Sequence, residues 1–293
     1  LTAAPAHLPT PDPVTKAGYV LEFDEEFTGE RLDTTRWIPY YLPQWSSRDA
    51  AAARHRVSGG HLDLRIEADQ PPWAPDLDGP MRVSSLQTGL FAGPVGSDIG
   101  QHGVHSAARV RADWENQRLY TPHYGVIEMR ARAIADPHGM VALWMIGYEE
   151  VPEHSGEICV AEIFGRDVTP GSAAIGMGIH PFDDPALRDD FTRVEAEIDA
   201  RRFHTYTVEW TPERVSFFID GHRQRSLDQS PNYPMQLMLN IYEFPTDRPE
   251  PATAYPKHFI VDYVRGYRPA HLPAHRLRGT AAAAGVGAVA GHR

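Results

Sequence analysis

The chain has 293 residues, of which 42% are hydrophobic and 23% charged, with a net charge of −11; these are the proportions of a folded globular protein. Lysine occurs only at Lys16 and Lys257 and no basic run is present, which argues against nucleic acid or an anionic membrane surface as partner. No stretch of 18 or more apolar residues suggests a membrane span, and a single cysteine, Cys159, excludes an intrachain disulfide.

Residues 1–17 are rich in Pro, Ala and Thr and read as a flexible arm. They lack a basic stretch followed by an apolar one, so they are not a signal peptide as they stand. They are compatible with a linker left after one was removed. A helical turn is predicted around Asp33 to Trp37. HLDLRIE then alternates with period two, placing Leu62, Leu64 and Ile66 on one face and Asp63, Arg65 and Glu67 on the other. YGVIEMRARA, MVALWMIG, GEICVAEIFG and AAIGMGIH follow as short β-branched or aromatic runs. FHTYTVEW and VSFFID are two more strands, joined by a turn at Thr211 to Arg214, and Asp220-Gly221 marks a second hairpin. PMQLMLNIY and HFIVDYVRGYR complete the set. Gly, Pro and Asp clusters such as IHPFDDPALRDD separate the runs.

Many short strands without long helices predict an all-β fold, a β-sandwich or jelly roll of antiparallel sheets. Ordered sequence is expected as one domain over 18–268, followed by an Ala/Gly-rich flexible tail at 269–293. The tail's GVGAVAG has no preceding strand and no βαβ unit, so it is not read as a dinucleotide loop. His102-Gly-Val-His105 has ligand-like spacing, but no further His or Cys cluster accompanies it.

GEICVAEIFG carries the chemistry. It places two glutamates, Glu157 and Glu162, five residues apart in an apolar, β-prone run, where a buried carboxylate without a partner is costly. On a regular strand they point to opposite faces. A one-residue bulge around Val160-Ala161 returns Glu162 to the face of Glu157 and Cys159. Two carboxyls about 5–5.5 Å apart suit retaining glycoside hydrolysis. The bland alternative is a pair of solvated glutamates on an edge strand.

The motif Glu157-Ile-Cys-Val-Ala-Glu162 resembles that of glycoside hydrolase family 16, the laminarinase-like enzymes with a concanavalin-type jelly roll. Further matches come in order: LEFDEEFTGERLDTTRW, YGVIEMRAR, ALWMIG, FHTYTVEWTPERVSFFIDG, PMQLMLNI and FIVDYVRGYR, together covering most of 19–268. The resemblance implies two curved sheets with a substrate cleft on the concave face, Glu157 as nucleophile and Glu162 as general acid/base. The bulged form of the motif is similar to that of the laminarinase, agarase and carrageenase branches. It implies an endo-acting hydrolase of β-linked polysaccharide, β-1,3-glucan before galactans, secreted and monomeric. A lectin-like binder of the same fold and a transglycosylase are the alternatives.

One departure stands in the motif: Cys159 takes the place of the family's aspartate, and is read here as a small packed hydrophobe rather than a reactive thiol. Trp144 is expected to form part of the cleft floor, against which a sugar face stacks. Tyr148, Tyr242, Trp45 and Trp73 are weaker versions of that expectation. His180 matches a histidine facing the nucleophile, with a loop-edge histidine as the alternative, and Asn240 resembles a cleft asparagine. No cofactor is required for catalysis. The resemblance implies one structural calcium, with oxygen ligands from Asp262 and the Gly60 carbonyl.

Overall fold

The computed structural model describes residues 16–103, 105–246 and 251–274. Sixteen strands lie among them: β1 (Tyr19–Glu25), β2 (Arg54–Ser58), β3 (His61–Ile66), β4 (Arg82–Gln87), β5 (Gly89–Leu90), β6 (Gln117–Arg118), β7 (Gly125–Arg132), β8 (Gly139–Gly147), β9 (Glu157–Phe164), β10 (Ala173–His180), β11 (Asp190–Ala196), β12 (His204–Trp210), β13 (Val215–Ile219), β14 (His222–Leu227), β15 (Met235–Glu243) and β16 (Lys257–Pro269). The helices are single turns, α1 (Arg48–Ala51) and α2 (Pro75–Asp78) among them. The anticipated turn after Asp33 is present, its carbonyl accepting from Arg36 N and Trp37 N. Most of the arm and of the tail, including GVGAVAG, lies outside the described residues. The ordered core reaches slightly past its expected bounds: Lys16 pairs with Glu128 at 2.9 Å, and Leu272 O accepts from Arg268.

Two antiparallel sheets form the sandwich. One runs β14-β13-β12-β7-β16-β3-β2, with β1 added on β16; the other runs β11-β10-β9-β8-β15-β4. Alternation decides what goes between them. Leu62, Leu64 and Ile66 of β3, Val208 of β12 and Phe217 of β13 meet Leu143 and Met145 of β8 and Leu239 and Ile241 of β15 in the main core.

The second sheet is unusual in being covered on its other face as well. Met140, Ala142, Trp144 and Ile146 of β8, and Met238 and Tyr242 of β15, form a second apolar cluster with Tyr41, Leu42, Trp45, Trp73, Ala108 and Val110 from the loops. A strand buried on both faces loses its polar alternation, which explains the unbroken apolar run in β8. The loops are pinned by buried polar bonds. Trp45 Nε1 donates to Gln101 O at 2.8 Å, Trp73 Nε1 to Tyr41 O at 2.9 Å, and Gln101 Nε2 to Gln236 Oε1 at 2.6 Å.

Candidate active site

β9 sits inside the second sheet, between β8 and β10. Its pairing slips by one residue: Ala161 faces Leu143, but Cys159 faces Trp144, leaving Val160 as the extra residue. Against β10 the same slip falls between Glu162–Gly176 and Cys159–Gly178. Before the bulge, Ile158 and Val160 point into the main core; after it, Ile163 does. Glu157, Cys159 and Glu162 therefore share the opposite face. Gly178 is required here, because at φ 155° a Cβ would collide with the Asp190 carbonyl.

The three side chains line one cavity of about 110 Å³, with Tyr41, His102, Trp144 and Tyr242 in its walls. Glu157 is buried, and burial pushes its carboxyl up to about 7. A hydrogen bond from Cys159 and the nearby His180 oppose that rise. Burial also raises Glu162, against the pull of Arg193, His180 and Arg166. The site holds two carboxyls whose ionised forms are each disfavoured by burial.

Cys159 does more than pack. It is 2% exposed, and its thiol donates to Glu157 Oε1 at 2.7 Å. Burial, reinforced by both glutamates, raises its own pKa well above the usual thiol range, which keeps it a donor. His180 lies opposite Glu157 in register and bonds through Nδ1 to Asp189 Oδ2 at 2.9 Å.

Trp144 lines the cavity but is not an open platform. It is 5% exposed, its Nε1 donates to Asn240 Oδ1 at 2.6 Å, and the His102 ring rests 5.2 Å from its centroid. Asn240 Nδ2 is buried without a partner among the described residues. Tyr242 stands at 88° to Tyr41, with centroids 5.7 Å apart, and shares a hydroxyl hydrogen bond with it. Trp45 and Trp73 line an adjoining cavity of about 240 Å³ that also touches Tyr41, His102 and Tyr242. Tyr148 is placed elsewhere: its hydroxyl donates to Leu90 O, and Arg118 lies 4.4 Å over its ring.

Tyr41 is a site residue that no local pattern marks, and His102, noted only for its spacing to His105, is another. His102 is held by a backbone bond to Glu149 Oε1 at 2.7 Å at a positive φ of 55°. Burial holds its imidazole down to about 4, so it is neutral. His105 does not join it, bonding instead to Asp78 at 2.9 Å. Asp262, named above with the Gly60 carbonyl as a calcium ligand, has other partners in this structure. Asp262 is ion-paired with Arg130 and lies 3.6 Å from His61, the residue after Gly60. A guanidinium on that carboxylate does not fit the all-oxygen shell calcium takes.

Comparison with known proteins agrees with this fold. The chain is 24% identical over 282 residues to the Glucan endo-1,3-beta-glucosidase A1 of Niallia circulans, a match covering 88% of this chain and 39% of that protein. It is 29% identical over 170 residues to a Beta-glucanase of Rhodothermus marinus, covering 50% and 57%. The chain thus spans well under two thirds of either curated relative. Among solved structures, the GlcNAcα1-4Gal releasing endo-β-galactosidase from Clostridium perfringens superposes with a TM-score of 0.74 at 29% identity, over 88% of this chain and 64% of that one. The sequence pattern of Glycosyl hydrolases family 16 matches residues 114–263, a span that contains the bulged strand and both of its glutamates. The chain belongs to glycosyl hydrolase family 16.

Proposed function

We propose that this chain is a retaining, endo-acting hydrolase of β-linked glycan, with Glu157 as nucleophile and Glu162 as general acid/base. The observation that carries the reading is the bulge at Val160, which brings both glutamates to one face of β9 and into one cavity. In the first step protonated Glu162 gives its proton to the glycosidic oxygen while Glu157 attacks the anomeric carbon. The leaving sugar departs with that proton, and a glycosyl ester forms on Glu157. Glu162, now ionised, takes a proton from water, which displaces the ester and restores the original configuration. The Cys159 thiol, donating to Glu157 Oε1, orients the nucleophile and favours its ionised form.

The substrate proposed first is β-1,3-glucan, supported by the name of the Niallia circulans relative. Cleavage of β-galactosidic bonds is the second reading, favoured by the endo-β-galactosidase superposition. A polymer cannot cross a membrane unaided, so the reading places the enzyme outside the cell. Reducing-end release from laminarin, mixed-linkage glucan, agarose and galactose-rich mucin glycans separates the substrates. Binding without release on every glycan tested would replace the enzyme by the lectin-like alternative. Products longer than the substrate would indicate transglycosylation.

A further inference from the structure

The cysteine in the motif changes what the cleft can hold besides sugar. Glu157 and Cys159 are next-but-one neighbours on β9, and His180 is the cross-strand partner of Glu157 on β10. A carboxylate oxygen of Glu157, Sγ of Cys159 and a ring nitrogen of His180 all lie within 4.8 Å of one another. We propose that these three side chains form a zinc site in the catalytic cleft, and that Zn²⁺ bound there blocks the nucleophile reversibly. The metal site stands on the donor geometry alone; the blocking of catalysis rests on the function proposed above.

The donor set is thiolate, imidazole and carboxylate. That mixture selects a borderline-soft ion such as Zn²⁺ over Ca²⁺ or Mg²⁺. Zinc sites with three protein ligands keep a fourth position for water, and the cavity that Glu157 and Cys159 line supplies it. Zinc bonds of about 2.0–2.3 Å put neighbouring donors about 3.3–3.8 Å apart. Sγ and Oε1 lie at 2.7 Å in their hydrogen bond, closer than that spacing, so on binding these two donors must open and the half-buried imidazole must approach, each by on the order of 1 Å by the same bond lengths. His180 is also prepared from behind. Asp189 Oδ2 holds Nδ1 at 2.9 Å, which leaves Nε2 with its lone pair free. A carboxylate behind a metal-binding histidine fixes its tautomer and orientation. On binding, the thiol proton goes to solvent and the thiolate takes its place on the metal.

The chain's single cysteine makes the test specific. The full chain is freed of metal with EDTA and titrated with Co²⁺, which takes zinc's place and reports thiolate ligation by a near-ultraviolet charge-transfer band. The band is expected in the wild type, to be displaced by Zn²⁺ and absent from Cys159→Ser. Asp189→Asn is expected to weaken binding about 10–100-fold, as loss of a ligand's supporting partner does, and His180→Gln by at least as much. His180 and Asp189 are partly exposed, with side chains 30% and 65% accessible respectively, so they decide the matter even if Cys159→Ser does not fold. No band in folded wild type overturns the site. A band of undiminished affinity in His180→Gln also overturns it, because the cysteine would then be binding without the triad. Where a hydrolysed glycan has been found, Zn²⁺ should abolish its turnover and EDTA restore it. The cobalt spectrum needs no glycan, so failure of the proposed activity would leave the metal result readable. A clear zinc titration with undiminished hydrolysis would reject the blocking role.

Discussion

The thiol of Cys159 donates to Oε1 of Glu157 at 2.7 Å, so the residue that departs from the family motif contacts the proposed nucleophile directly. The bond favours the carboxylate and pulls the Glu157 pKa downward against burial, which has lifted it to about 7. A nucleophile works ionised, so the acidic limb of kcat/KM should fall near pH 7. Cys159→Ala removes the donor, and the limb should move to higher pH. A limb that stays in place would show that the thiol does not tune Glu157.

Cys159→Asp has the opposite purpose. A third carboxyl on this face makes ionisation of Glu162 harder, so the alkaline limb should rise and turnover with it. A buried aspartate without a partner would instead lower the melting temperature and activity together. A pH–rate profile and a melting curve on this variant distinguish the two. An unchanged alkaline limb in a stably folded variant would mean that position 159 leaves the acid alone.

Glu162→Gln should slow polysaccharide cleavage by about 10²–10⁴-fold, the usual contribution of a general acid. An activated aryl glycoside needs little protonation of its leaving group, so its first step should be largely spared. Equal losses on both substrates would remove Glu162 from the acid role.

Asn240 accepts from Trp144 Nε1, and its own Nδ2 is buried without a described partner. Asn240→Ala leaves the indole N–H unsatisfied, at a cost of about 1–3 kcal/mol. If Nδ2 serves the sugar, KM should rise more than kcat falls. Loss of stability with an unchanged KM would confine Asn240 to holding Trp144.

His102 is neutral in the fold because burial has lowered its pKa from 6.5 to about 4. The unfolded chain binds the proton first, so this residue costs stability as pH falls from 6.5 towards 4, by about 3 kcal/mol in all. Glu149 and Glu157, raised to about 8 and about 7, act with the opposite sign over part of that range. The signature is therefore a difference: His102→Gln should lose less stability than wild type between pH 6.5 and 4. Parallel melting curves for the two proteins would contradict it.

Much of this architecture was legible from residue patterns. Leu62, Leu64 and Ile66 announced a strand by alternation and are all fully buried, and the five-residue spacing of Glu157 and Glu162 demanded the bulge found at Val160. The strands β2, β11 and β14 were harder to read because they are sheet edges. Solvated edges carry Arg, Glu and Thr, and their alternation disappears. The covering of the cleft sheet was legible only in part, through Trp45 and Trp73 as candidate cleft aromatics. Trp45, Trp73 and His102 reach it from loops whose partners are distant in sequence, as in the bond from Trp45 to Gln101, 56 residues away. Trp144 is expected in the cleft floor and does line the cavity, with the His102 ring 5.2 Å from its own, a contact between segments distant in sequence. The pairing of Asp262 with Arg130, 132 residues away, leaves no local pattern to read.

The central claim is that Glu157 and Glu162 divide the chemistry as nucleophile and acid/base, and azide rescue of the two alanine variants tests it most directly. In Glu157→Ala, azide should fill the vacated side of the sugar and yield the α-glycosyl azide from an activated β-glycoside. In Glu162→Ala, azide should displace the ester on Glu157 and yield the β-glycosyl azide. The opposite pairing of products with variants would reverse the roles. Undiminished hydrolysis by Glu157→Ala, with no azide product, would contradict the account as a whole.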